Sequence, residues 1–87
     1  MNNDIENLKK KLLYRSQYRG TKEMDKLIGS FVKTNINKFS YNQLNELENF
    51  LSIDDDTLYK FYNDQTAEVK GINSEFAKLY KNHLYKE

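Results

Sequence analysis

The sequence predicts an all-α fold, a compact bundle of about five short helices. Apolar residues recur at three- and four-residue steps along most of the chain, as they do on one face of an α-helix. No segment alternates apolar and polar residues between turn dipeptides, the pattern typical of strands. A chain of 87 residues has enough interior for one core, so residues 1–87 are expected to form a single domain.

The first two helices are predicted from apolar runs on either side of Gly20. The first run consists of Ile5, Leu8 and Leu12. It follows Asn3, a candidate N-cap with Glu6 three places on. The second run has the spacing of one buried helix face and consists of Met24, Leu27, Ile28, Phe31 and Val32. Gly20 is expected to end the first helix, since glycine tolerates positive φ at a helix end.

Capping signals predict where three further helices begin. The candidate caps are Ser40 with Gln43 in a capping box, Asp54 or Asp55, and Asn73 or Ser74. The third helix should bury Tyr41, Leu44, Leu47 and Leu51, and the fourth should carry Leu58, Phe61 and Tyr62. On the fifth, one apolar face should comprise Phe76, Leu79, Tyr80, His83 and Leu84. Residues 65–71 have the least pattern and are interpreted as the longest loop.

Composition narrows the classes of function. The chain has no cysteine, which excludes a disulfide framework and thiolate chemistry. Its net charge of +1 argues against duplex DNA as a partner. No segment approaches the roughly 18 apolar residues of a membrane span. The amino terminus lacks a secretory signal, and Asp4 and Glu6 argue against a transit peptide. These features favour a small soluble intracellular domain.

One histidine and two charged runs are better explained by structural roles than by catalysis or ligand binding. The lone His83 lacks the further ligands of a zinc site and a visible catalytic partner, so a packed histidine is expected. Asp54-Asp55-Asp56 lacks the spacing of a calcium-binding loop and suits a helix cap. Lys9-Lys10-Lys11 lies near acidic residues and is interpreted as a solvated face. Core-rim positions with solvated hydroxyls are expected for Tyr59, Tyr62 and Tyr80.

The strongest candidate site is the segment Arg19-Gly20-Thr21-Lys22-Glu23-Met24-Asp25. Each residue has a structural explanation, because Gly20 suits a helix C-cap and charged residues are favoured near helix ends. Together, however, they place an arginine, a bare backbone and a carboxylate on one junction, where Arg19 and Glu23 can form charge-assisted hydrogen bonds. From the residues alone, structure and recognition both remain open.

Around this junction the sequence resembles the SdhE family, the FAD assembly factors of succinate dehydrogenase. The first matching block is Leu12-Leu13-Tyr14-Arg15-Ser16 followed by the junction, whose R-G-x-x-E and nearby Asp are the family hallmark. The second is Leu47-Glu48-Asn49-Phe50-Leu51 with Asp54-Asp55-Asp56-Thr57-Leu58-Tyr59-Lys60-Phe61. The resemblance covers roughly residues 5 to 85. Two positions depart from it: many members carry Arg where Tyr18 stands, and Phe61 takes the usual Trp position.

The resemblance implies a small five-helix fold and a non-catalytic assembly factor, and we expect the free protein to be a monomer. Members bind the flavoprotein subunit of succinate dehydrogenase, and sometimes of fumarate reductase, and promote covalent attachment of FAD to a histidine there. Arg19, Gly20 and Glu23 would then form the partner surface, with Asp25 as a nearby helper. The protein would hold no cofactor or metal stably, bind no nucleic acid and reside in a bacterial cytoplasm.

Three alternatives remain beside the assembly factor. The first is an enzyme in its own right, which would need a pocket with convergent polar groups. The second is a toxin-neutralising or nucleic-acid-associated module, which would rest on the lysine run and the small size. The third is a generic helical adaptor for protein interactions. Tight FAD binding would favour the first, a steep salt dependence of DNA or RNA binding the second, and insensitivity to changes at Gly20 the third.

Overall fold

Five α-helices build the protein, for which the computed structural model describes residues 2–64 and 66–84, without the side chains of Asn2 and Asn3. In chain order they are α1 (Asn2–Gln17), α2 (Lys22–Asn35), α3 (Tyr41–Leu51), α4 (Asp55–Asn63) and α5 (Ser74–Lys81). A single 3-10 turn, Ile36–Lys38, follows α2. Because the described residues contain no strand, the predicted all-α fold of five helices is confirmed.

Most helix starts lie where the local capping signals predict them. Ser40 and Gln43 form the full capping box of α3, with both reciprocal hydrogen bonds present. Of the paired alternatives, the caps used are Asp54 for α4 and Asn73 for α5. The prediction for α1 is wrong, because the helix already begins at Asn2 and Asn3 lies inside its first turn.

The core is organised around the ring of Phe31. Five aromatic rings lie within 5.4–6.4 Å of it, centroid to centroid, and belong to Phe39, Phe50, Phe76, Tyr80 and His83. All five pairs are tilted or edge-to-face, the geometries that aromatic quadrupoles favour. The predicted apolar face of α2 is confirmed, since all five of its residues are buried. This packing fixes α2, and with it the junction that precedes α2.

Predicted burial is wrong at the margins of the short helices. Tyr41, Leu79 and Leu84 are 60%, 41% and 88% exposed. Tyr41 is the first residue of α3. The aromatic residue that this helix buries in the protein core is Phe50. Leu79 lies at the edge of the narrow stripe that α5 buries. Leu84 lies beyond the end of α5, where helical spacing no longer applies.

The predicted core-rim position of Tyr80 is wrong, because its hydroxyl is buried and not solvated. Tyr80 is 0% exposed, and its hydroxyl donates a hydrogen bond to the Leu58 carbonyl oxygen at 2.8 Å. Tyr59 is 40% exposed, and Tyr62 is half-buried with its hydroxyl donating to the His83 carbonyl oxygen. The three tyrosines thus range from full burial to exposure.

The connection between α4 and α5 is the longest in the described part of the chain, as predicted. It spans residues 64–73, of which Gln65 lies outside the described residues. Gly71 within it has φ +91°, a left-handed conformation that L side chains disfavour. Ala67, Val69 and Ile72 of this connection pack against the core.

Candidate functional site

The fold brings two helix junctions together at one end of the bundle. The first, here called the α1–α2 junction, comprises residues 18–21; the second links α3 to α4 through residues 52–54. The side chain of Arg19 crosses from the first junction to the second. Its partners lie 32 to 36 positions further along the chain. The junction is therefore fastened by tertiary contacts.

The guanidinium of Arg19 is occupied by groups of its own chain. One terminal nitrogen donates to the Leu51 carbonyl oxygen and the other to the Ile53 carbonyl oxygen, each at 2.6 Å. Nε donates to Asp55 Oδ1 at 2.8 Å. Leu51 ends α3, so its carbonyl has no partner further along that helix, and a cation is favoured there. The Arg19 side chain is only 10% exposed as a result.

Asp55 holds Gly20 as well as Arg19. Its second carboxylate oxygen, Oδ2, accepts a hydrogen bond from the Gly20 N–H at 2.8 Å. As the first residue of α4, Asp55 lies where the helix dipole favours a carboxylate. One carboxylate therefore bridges the side chain of Arg19 and the backbone of the next residue. We call this arrangement of Arg19, Gly20 and Asp55 the junction clamp.

Gly20 is required for close approach, not for an unusual backbone conformation. Among the described glycines only Gly71 has a positive φ, so the predicted left-handed C-cap at Gly20 is wrong. A Cβ built on Gly20 would lie 2.8 Å from Asp55 Oδ2, closer than real Cβ contacts come. Because Arg19 also holds that carboxylate, a side chain at position 20 would displace the clamp.

Asp25 faces back toward the junction that precedes its helix. Its Oδ1 accepts a hydrogen bond from the Arg19 N–H at 2.5 Å. Thr21 caps α2 by accepting from the Met24 N–H, which the sequence reading did not anticipate. Carboxylates from α2 and α4 therefore hold adjacent backbone N–H groups, those of Arg19 and Gly20.

The predicted partner residues thus fall into two groups. Arg19 and Asp25 are half-buried, whereas Gly20 and Glu23 are exposed, with Glu23 in the first turn of α2. Beside the junction, Tyr14 and Tyr18 are 64% and 67% exposed, and their ring centroids lie 4.6 Å apart. The exposed surface here combines a bare backbone, a carboxylate and an aromatic pair, a combination suited to protein contact.

Sequence reasoning missed the role of Asp55 and the aromatic pair. A helix needs only one capping acid, so the second acid of Asp54-Asp55-Asp56 was available for another partner. The fold shows Asp54 as the cap and Asp55 as the partner of Arg19. Thr57 donates to Asp54 through both its hydroxyl and its N–H, which lowers the pKa of that carboxyl. Tyr14 and Tyr18 are four residues apart, spacing that brings helical neighbours together.

His83 and two lysines of the Lys9-Lys10-Lys11 run have partners within the fold. The predicted place of His83 on the apolar face of α5 is wrong, because the helix ends at Lys81. His83 is packed as expected, with Nε2 2.8 Å from Ser30 Oγ, and burial lowers its pKa. In the lysine run, Lys11 pairs with Glu48 at 3.4 Å and Lys9 with Glu6 at 3.8 Å.

The described residues contain neither a metal-binding cluster nor a membrane-spanning helix. Residues 2–64 and 66–84 hold no cluster of three His, Cys, Asp or Glu side chains suited to a metal ion. Over the same part of the chain, each helix is too short or too polar to cross a lipid bilayer.

The chain is similar to assembly factors of succinate dehydrogenase. It is 35% identical over 80 residues to the mitochondrial succinate dehydrogenase assembly factor 2 of Dictyostelium discoideum, covering 92% of this chain and 57% of the relative. The protein of that name from Arabidopsis thaliana is 31% identical over 64 residues, covering 74% and 34%. The FAD assembly factor SdhE of Acetobacter pasteurianus is 38% identical over 50 residues, covering 58% and 46%.

The chain thus spans between 34% and 57% of the length of these relatives. No solved structure matches it. The family model described as the flavinator of succinate dehydrogenase matches residues 10–84, which include the junction clamp and the aromatic pair of Tyr14 and Tyr18. The predicted family resemblance is thereby confirmed: the chain belongs to the Sdh5 family of succinate dehydrogenase flavinators.

Proposed function

We propose that this protein is an assembly factor that binds the flavoprotein subunit of succinate dehydrogenase and promotes covalent attachment of FAD to it. The family match over residues 10–84 carries this proposal. The names of the relatives support it, since they describe succinate dehydrogenase assembly and FAD assembly. The flavoprotein subunit of fumarate reductase is a second client of the same kind.

The covalent chemistry is assigned to the client and not to this protein. Attachment of a flavin to a histidine needs reacting groups held in a fixed geometry and stabilisation of developing charge. A bound helper can favour the competent client conformation by binding it better than the others. The α1–α2 junction suits this role, because Arg19, Asp25 and Asp55 hold its backbone in one shape through hydrogen bonds within the fold. FAD is accordingly retained by the client and not held stably by the free protein.

The client surface is proposed to consist of the exposed groups around the α1–α2 junction. Gly20 leaves a partner's backbone room to approach, and Glu23 offers a carboxylate for charge-assisted hydrogen bonds. Tyr14 and Tyr18 add rigid aromatic area, which is enriched in the energetic centres of interfaces. Arg19 and Asp25 belong to the same site, but their role is to hold the backbone of the junction in place through bonds within the fold.

The setting of this activity is also a proposal. We propose a free monomer in a bacterial cytoplasm, and the similarity to the SdhE relative of Acetobacter pasteurianus supports the bacterial setting. Two other relatives are named as mitochondrial. Fractionation of the native host, with covalent flavin measured in the same fractions, decides between the two compartments.

Co-expression with the flavoprotein subunit tests the function directly. Covalent flavin is read by in-gel fluorescence, with Glu23→Ala compared with Glu75→Ala. These glutamates are matched, because each is the exposed second residue of its helix. Glu23→Ala should weaken client binding by about 1–3 kcal/mol, the cost of removing a charged partner at an interface. Glu75→Ala should leave binding and flavinylation unchanged.

Two outcomes contradict the proposal. Equal flavinylation with the native protein and an empty vector would show that the subunit is not its client. Equal losses from both glutamate variants would remove Glu23 from the contact surface and point to a shared effect on helix stability. Circular dichroism of each purified variant separates that stability effect from a loss of binding.

A further inference from the structure

The junction clamp assigns a role to Asp55, a residue outside the R-G-x-x-E motif. We propose that Asp55 is a positioning residue, which acts with Arg19 to fix the shape in which the α1–α2 junction meets its client. The identity of the client rests on the proposed function, whereas the clamp itself does not. Arg19 thus serves recognition from inside the fold, through the backbone of Gly20.

The side-chain donors of Arg19 are directed into the fold. All three guanidinium nitrogens donate within the chain, to two carbonyl oxygens and to Asp55. To contact a client through this group, the protein would have to break charge-assisted bonds at 2.6–2.8 Å. With its side chain 10% exposed, Arg19 is placed to fasten the junction and not to meet a partner.

Asp55 connects the Arg19 side chain to the backbone of the junction. Its two oxygens bind different groups, Oδ1 the Arg19 Nε and Oδ2 the Gly20 N–H. Asp25 holds the preceding N–H, that of Arg19. Two successive peptide groups are therefore oriented by carboxylates from two different helices. Removing Asp55 releases the Gly20 peptide while Asp25 still holds its neighbour.

The junction clamp explains why position 20 is a glycine. The space that a Cβ would occupy is taken by Asp55 Oδ2, 2.8 Å away. Backbone conformation does not require glycine there, since Gly20 has no positive φ. Thus Gly20 and Asp55 depend on each other: glycine admits the carboxylate, and the carboxylate fixes the exposed peptide that a client would meet.

The test compares Asp55→Asn with Asp56→Asn in the full chain. The asparagine amide has one acceptor oxygen, so it can accept from Arg19 or from Gly20, whereas the carboxylate accepts from both through separate oxygens. The first readout is the Gly20 amide resonance in ¹H–¹⁵N NMR, which needs no client. The second is affinity for the purified flavoprotein subunit by titration calorimetry, at a temperature where circular dichroism shows the variants folded.

Asp55→Asn should shift the Gly20 amide in either case, because its acceptor becomes a neutral oxygen or is lost to Arg19. It should also weaken client affinity about tenfold, the effect of losing one charge-assisted hydrogen bond. Asp56→Asn should leave both unchanged. If Asp55→Asn fails to fold, Asp55→Glu replaces it, since it keeps the charge but moves the carboxylate by one methylene. An unshifted Gly20 amide in the folded variant would overturn the clamp.

Arginine variants decide whether Arg19 acts through Asp55 or on the client. Arg19→Lys keeps the charge but loses the planar fork, so it should weaken affinity nearly as much as Arg19→Ala; Arg15→Lys is the matched control. The double variant Arg19→Ala, Asp55→Ala should bind no more weakly than the weaker single variant. Full additivity, or full affinity with Arg19→Lys, would overturn the proposal. Absence of binding by the native protein would overturn the proposed function, and the amide resonance would still decide the clamp.

Discussion

The Tyr80 hydroxyl donates a hydrogen bond to the Leu58 carbonyl oxygen at 2.8 Å, and the Tyr80 ring is 0% exposed. This bond joins α5 to α4 in the interior. The same ring lies 4.7 Å from that of Phe50 and 5.4 Å from that of Phe31. Tyr80 therefore connects the last helix both to the aromatic core and to the α4 backbone, which makes it a sensitive probe of how α5 is held.

We expect Tyr80→Phe to lower the free energy of unfolding by about 1 kcal/mol, since it removes the buried hydrogen bond and keeps the ring. Tyr80→Ala should cost about 3–5 kcal/mol, because the packed ring is also lost. Urea denaturation followed by circular dichroism measures both values. Tyr59→Phe is the control at an exposed ring and should stay within about 0.5 kcal/mol of the native protein. Equal effects of Tyr80→Phe and Tyr59→Phe would mean that the buried hydroxyl contributes nothing.

The two loop glycines should separate recognition from stability. Gly20→Ala places a Cβ against Asp55 but meets no backbone strain, so it should reduce client affinity more than stability. Gly71→Ala has open space but a φ of +91°, so it should cost about 1 kcal/mol of stability and leave affinity unchanged. Thermal unfolding and client titration on both variants measure the two effects. A large loss of stability in Gly20→Ala with native affinity would contradict this assignment.

Local signals in the sequence predicted most of the fold. The capping box of Ser40 and Gln43 lies within four residues, and the buried face of α2 repeats at helical spacing. Such features depend on neighbours along one helix, so periodicity and capping are sufficient to find them. The prediction of burial failed for Leu84, because nothing in that spacing shows that α5 ends at Lys81.

The candidate site was predictable only as a location. The motif around Gly20 and the family resemblance both indicated the α1–α2 junction. The pairing of Arg19 with Asp55 spans 36 positions and depends on how the ends of α3 and α4 meet that junction, which no local pattern shows. The resemblance implies a partner-contact role for Arg19, and the structure adds that its guanidinium is bound within the fold.

Stability should decrease as the pH falls through the ordinary histidine range. Burial lowers the pKa of His83 from its ordinary value of 6.5, so the folded protein binds fewer protons than the unfolded chain between the two values. The contribution is therefore complete above pH 6.5 and is lost as the pH falls toward the folded pKa. Denaturation series from about pH 7.5 to about pH 5 should show this decline.

The variant His83→Gln should remove that decline, although it also loses the ring contact with Phe31. The comparison concerns the slope against pH and not the absolute stability. Asp54 and Asp64 also have lowered pKa values, caused by hydrogen bonds from Thr57 and Thr66, but their contributions are lost below the ordinary aspartate value of 3.8. An identical slope in the native protein and His83→Gln would assign the decline to other groups.

The exposed aromatic pair should contribute to client binding independently of the clamp. Tyr18 is 67% exposed and directly precedes Arg19, and its ring is supported by that of Tyr14 at 4.6 Å. Tyr18→Ala should lower client affinity by about 1–2 kcal/mol, a typical value for an aromatic contact residue, and change stability little. Titration calorimetry with the flavoprotein subunit measures the change.

Tyr41→Ala is the matched control, because Tyr41 is a comparably exposed tyrosine at the opposite end of α3 from the Arg19 contact with Leu51. Leu51 lies ten positions after Tyr41 along the helix, about 15 Å along the axis. If both variants lose the same affinity, the client surface extends well beyond the junction. If neither does, recognition depends on the backbone and carboxylate of the junction, and the aromatic pair lies outside the contact.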